Sequence, residues 1–115
     1  MSDLHEREVR AARNQAMFRA INEKLREVNA ALGSVSETFV IACECADVSC
    51  IQTLTIGPSE YEGIRSHPNR FAVLEGHVYD DVEDVVSRDG TYVIVEKRSM
   101  GAEFAEATDP RASEG

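Results

Sequence analysis

Residues 39–51 read Phe39-Val-Ile-Ala-Cys43-Glu-Cys45-Ala-Asp-Val-Ser-Cys50-Ile51 and hold all three cysteines of the chain. An apolar, β-branched run leads into the cluster, and a second, Ile51-Gln-Thr-Leu-Thr-Ile56, leads out of it. The pattern predicts a strand over Thr38–Cys45, a tight turn, and a second strand antiparallel to the first because the connection is short. Side chains in a strand alternate faces, so Cys43 and Cys45 are expected on the side of Phe39 and Ile41. Residues 46–49 are long enough to turn Cys50 back beside them.

Three thiolates that share one ion need a fourth donor, and three cysteines with one histidine form a structural zinc set. The chain has three histidines, His5, His67 and His77. His77 follows the apolar run Phe71-Ala-Val-Leu74 in Glu75-Gly76-His77. If that run is a strand beside the cysteine strand, His77 completes a structural zinc site with Cys43, Cys45 and Cys50, and Asp47 is the fallback ligand. C-x-C-x4-C is a less specific spacing than paired C-x-x-C motifs. The same residues also fit three reduced, partly buried thiols, a redox-active cluster, or iron–sulfur ligands. Glu44, between two cysteines, is expected to raise their pKa values and so to oppose a highly reactive thiolate.

Working outward toward the N-terminus, residues 8–32 have helical periodicity. Phe18, Ile21, Leu25, Val28 and Leu32 recur at spacings of 3, 4, 3 and 4, and Ala, Arg, Glu and Lys fill the remainder. Gly33 is suited to the C′ position. The stripe predicts a helix packed on the domain through those five residues, with a partner protein or a second copy as the alternative cover. Residues 1–7 and the polar tail 108–115 are expected to be disordered.

Toward the C-terminus, Gly57-Pro58-Ser59-Glu60 opens a short helix with Tyr61 and Ile64 facing the core, ended by Pro68. A third strand covers Arg70–Leu74. Asp89-Gly90 is a hairpin signal joining Val82–Arg88 to Thr91–Lys97. Beyond Arg98 one or two helical turns are expected. The predicted architecture is α+β: a long N-terminal helix on a mostly antiparallel sheet of four or five strands, with a short helix between strands two and three, in one domain over residues 8–107.

Composition bounds the function. The 115 residues carry a formal net charge of −9. Residues 1–32 hold six Arg/Lys and five Asp/Glu, whereas residues 33–115 hold six and sixteen, so the acidity lies in the sheet region. Such a surface repels phosphate backbones and anionic membranes, and no direct nucleic-acid or membrane binding is expected. No run reaches the roughly 18–20 apolar residues that span a bilayer, and the polar first residues lack the apolar core of a signal peptide. Reduced, closely spaced cysteines then point to the cytoplasm. Asp80, Asp81, Glu83 and Asp84 lack the spacing of a calcium loop, and Gly57-Pro58-Ser59 is neither a phosphate loop nor a nucleophile elbow. Cys50 with His77 or His67 would pair a thiol with a base, but no glycine-rich turn offers an oxyanion site beside them.

Taken in order, Phe18-Arg19-x-Ile-Asn22-Glu23, Phe39-x-x-x-Cys43-Glu-Cys45-Ala-Asp-x-x-Cys50, Glu60-Tyr61-Glu62-x-Ile-Arg65, Pro68-x-Arg70-Phe71, Gly76-His77, Val82-Glu83-x-Val85-Val86 and Tyr92-x-Ile-Val95-Glu96-Lys97 resemble a small uncharacterised family of actinobacterial proteins. The resemblance spans roughly residues 15–110. It implies that Cys43, Cys45, Cys50 and the Gly76-His77 pair belong to one site, and it implies organisation more than activity. The expected function is a non-enzymatic, zinc-stabilised module that binds a protein partner or a second copy through its N-terminal helix. The alternative is a thiol redox sensor built on the three cysteines.

Overall fold

The computed structural model describes residues 3–31 and 38–111. Its elements run α1 (Asp3–Ala31), β1 (Phe39–Ala42), β2 (Thr53–Ile56), α2 (Pro58–Arg65), β3 (Arg70–Leu74), β4 (Glu83–Asp89), β5 (Tyr92–Lys97) and α3 (Ser99–Ala107). The class is α+β, with α2 between the second and third strands as expected. The strands form two antiparallel sheets rather than one, β1–β2 and β3–β5–β4. No helix among the described residues is long and apolar enough to cross a membrane.

Alternation along the strands builds two small cores. β1 and β2 pair from Phe39↔Ile56 to Ala42↔Thr53, and Phe39, Ile41, Leu54 and Ile56 point inward. They meet Tyr61 and Ile64 of α2 and one face of the larger sheet through Ala72 and Tyr92. On the opposite face of that sheet, Phe71, Val73, Val93 and Val95 pack with Cys43, Cys45 and Ala105. Burying each Val-sized side chain stabilises by about 1.5–3 kcal/mol, so both faces of β5 contribute.

The hairpin turns one residue later than its sequence suggests. Asp89 is still paired, with Tyr92, so the loop is Gly90-Thr91, and Gly90 takes a φ of +70°. A bulge between Val85 and Ser87 then shifts the β4–β5 register.

The helix differs most from expectation. It begins at Asp3, so residues 3–7 are ordered; Asp3 and Glu6 suit the positive end of its dipole, and Arg7 pairs with Asp81. Leu32 and Gly33 lie outside the described residues. Of the predicted inward stripe only Phe18 is buried, while Ile21, Leu25 and Val28 are exposed. The inward face is instead Glu8, Ala11, Ala12, Gln15, Phe18, Arg19, Asn22 and Glu23. Small alanines admit close approach, and the polar side chains meet backbone groups that no strand pairs. Asn22 accepts from Ala42 N–H at 2.8 Å and donates to Ala42 C=O at 2.9 Å, capping the edge of β1. Arg19 donates to Pro68 C=O at 2.5 Å and Ala105 C=O at 3.0 Å, with its guanidinium 4.9 Å from the Phe71 ring centre.

Residues 108–111, assigned to a disordered tail from sequence, are pinned. Asp109 is buried and pairs with Arg65. Arg111 donates to Glu23 at 2.5 Å and to Glu62 at 2.7 Å, tying residues 109–111 to α1 and α2. Residues 112–115 lie outside the described set.

Candidate metal centre

Cys43 and Cys45 lie beyond the end of β1, which stops at Ala42 rather than at Cys45. The backbone there changes partners. Cys43 N–H still donates toward the β2 side, to Gln52 C=O at 3.0 Å, while Glu44 N–H donates to Ala72 C=O of β3 at 2.8 Å. The extended chain thus passes from the small sheet to the large one, and the two cysteines sit at that crossing.

Glu44 faces away from the thiols. Its carboxylate accepts from Ala72 N–H at 2.9 Å and from Asn22 Nδ2 at 2.8 Å, and Gln15 Nε2 donates to its carbonyl at 3.0 Å. The effect on thiol pKa expected of Glu44 therefore gives way to a structural role, in which it clamps α1 to β3. Burial pushes its own carboxyl pKa up, against the hydrogen bonds from Asn22 and Ala72.

Two turns bring in the remaining donors. Cys50 N–H donates to Asp47 C=O at 3.0 Å, and the Asp47 carboxylate accepts from Ser49 N–H at 2.9 Å and Ser49 Oγ at 2.6 Å. That Asx turn folds Cys50 back and occupies Asp47, which is exposed and serves the turn instead of standing as fallback ligand. His77 is delivered by the turn Leu74–His77, closed by His77 N–H donating to Leu74 C=O at 3.0 Å. Gly76, third in that turn, has a φ of +89°, as a type II turn requires.

The four expected residues converge. One donor atom from each of Cys43, Cys45, Cys50 and His77 lies within 4.8 Å of every other, close enough to hold a metal ion. His77 presents Nδ1, 3.5 Å from Cys43 Sγ and 3.8 Å from Cys50 Sγ. All three cysteines are free of disulfides. Cys43 and Cys45 are buried, and Cys50 and His77 are half-buried. His5 and His67 are not in the group.

The electrostatics distinguish the sulfurs. The Cys45 thiol donating to Cys43, helped by Leu74 N–H at 3.3 Å, holds the Cys43 thiol below its ordinary value despite burial. Cys45, as the donor to Cys43 and itself buried, is raised, and burial raises Cys50. Leu74 N–H and Gln15 are supporting groups that no motif singled out, and Asn22 stands in the Phe18-Arg19-x-Ile-Asn22-Glu23 motif, which assigned it no role.

Comparison of the chain with protein-family models, with curated proteins and with solved structures finds no match.

Proposed function

We propose that the chain is a small, non-catalytic protein-interaction domain whose fold is stabilised by one zinc ion held by Cys43, Cys45, Cys50 and His77. The convergence of four donors on one point carries this reading. Tetrahedral zinc, with Zn–S of about 2.3 Å and Zn–N of about 2.0–2.1 Å, places sulfur about 3.6 Å from nitrogen along each edge. The separations of 3.5 and 3.8 Å to His77 Nδ1 match that edge. A full set of four protein ligands leaves no open position for water or substrate, which is the arrangement of structural rather than catalytic zinc. Bound there, the ion would supply bonds joining the end of β1, the 46–50 turn and the turn after β3.

If the site is structural, metal binding is folding free energy. Chelation, or Cys45→Ser, is expected to lower the melting temperature sharply in circular dichroism. An unchanged melting curve after verified metal removal would leave the cysteines as inert thiols.

A thiol redox sensor is the second reading, favoured by the lowered pKa of Cys43 and by the half-buried position of Cys50. It predicts that peroxide oxidises the cysteine cluster, with loss of any bound metal, at doses that leave the methionines intact, as mass spectrometry would read.

A further inference from the structure

The face of α1 turned away from the domain is both apolar and basic. Met17, Ile21, Leu25 and Val28 are 40–55% exposed on it, at spacings of 4, 4 and 3 that form one stripe. Arg10, Arg13 and Lys24 are exposed along the same side of the helix. Residues 9–22 contain no acidic residue, and two of their three arginines, Arg10 and Arg13, lie on this face, Arg19 being buried on the opposite one, in a chain of net charge −9. Among the described residues neither Arg10 nor Arg13 has an ion-pair partner. Lys24 has only Glu27, at 3.9 Å with both side chains largely exposed, a pair of little energetic weight.

We propose that this face docks an acidic amphipathic helix of a partner protein, its apolar side chains against Met17, Ile21, Leu25 and Val28 and its carboxylates against Arg13 and Lys24. The proposal rests on the interaction-module reading above and names the partner's chemistry. Charge selects this occupant. A second copy would set arginines and lysine against their own kind while bringing two acidic bodies together. An anionic membrane would attract the stripe but repel residues 33–115, which hold ten more acidic than basic residues. A single acidic helix, about 10–12 Å across, can meet the α1 face without lying against residues 33–115 as a membrane surface would, and pairing of amphipathic helices through their apolar stripes is an established mode of recognition.

The test titrates the full chain, purified under reducing conditions, with two fluorescent three-heptad peptides. Both carry Leu at the a and d positions; one has Glu and the other Lys at e and g. Phosphatidylserine–phosphatidylcholine vesicles and sedimentation of the chain alone complete the set. The Glu peptide is expected to bind at least about tenfold more tightly than the Lys peptide, and progressively less tightly as salt rises. Arg13→Glu with Lys24→Glu should remove that preference, and Ile21→Asp should abolish binding with an unchanged circular dichroism spectrum. Equal binding of the two peptides, or none, overturns the proposal. So does a wild-type dimer that Ile21→Asp dissociates, or adsorption to the vesicles without peptide binding. Zinc content measured on the same sample separates the two claims: one equivalent of zinc without peptide binding defeats only the docking proposal, and peptide binding without metal defeats only the zinc reading.

Discussion

Asn22 does for the free edge of β1 what another strand would do. Its one amide accepts from Ala42 N–H and donates to Ala42 C=O and to the Glu44 carboxylate, all in a position closed to solvent. Removing it leaves buried groups without partners, at about 1–3 kcal/mol each. Asn22→Ala is therefore expected to lower the free energy of unfolding by about 3 kcal/mol or more in urea titration. Ile21→Ala, one residue away and nearly half exposed, should stay within about 0.5 kcal/mol. If the two substitutions cost the same, the inward face of α1 is assigned wrongly. The contrast also marks what sequence could not reveal. Counting apolar residues selects Ile21, Leu25 and Val28 as the inward stripe, because apolar burial is the usual rule. Here the inward face is set by unpaired backbone at Ala42, Pro68 and Ala105, which exists only once the strands are in place.

At the scale of elements, the cysteine stretch and its neighbours were legible. Apolar, β-branched runs mark β1, β3 and β5, alternation of Thr with Leu and Ile marks β2, Pro58 and Pro68 bracket α2, and the need for a fourth donor selects His77. What was not legible is the crossing at Glu44, where the chain leaves one sheet for another; alternation reads the same on either side. The hairpin loop is Gly90-Thr91, one residue later than the Asp-Gly signal places it, because Asp89 still pairs with Tyr92. The turn after β3 gives a direct check on how the site is assembled. Gly76 holds a φ of +89°, and a Cβ there would meet nothing within 4 Å. Gly76→Ala therefore adds backbone strain of about 1–2 kcal/mol without a clash. It is expected to lower stability by that amount and to weaken metal retention against a competing chelator. Gly63→Ala, in α2 with equally open space and no positive φ, should do neither.

Across the whole molecule, residues 109–111, α1 and α2 are joined by one ionic cluster. Burial would raise the Glu23 carboxyl, but hydrogen bonds from Arg111 and Tyr61, with Arg65 nearby, hold it below its ordinary value. A carboxyl whose folded pKa is depressed contributes stability that is present above its unfolded value, near 4.5, and is lost as pH falls through the folded value. Arg111→Ala should thus destabilise the domain at pH 7 and reduce the loss of stability on acidification; equal acid sensitivity in both proteins would remove Glu23 from the account. The crossing at Glu44 and the core around Cys43 and Cys45 hold segments that the proposed zinc ion also joins. The most direct measurement is the metal content of the reduced, purified chain by elemental analysis, alongside His77→Ala. One zinc per wild-type chain is expected, with tight retention lost in the variant. A chain with no metal, one carrying iron, or a His77→Ala protein that holds zinc as firmly as the wild type would contradict it.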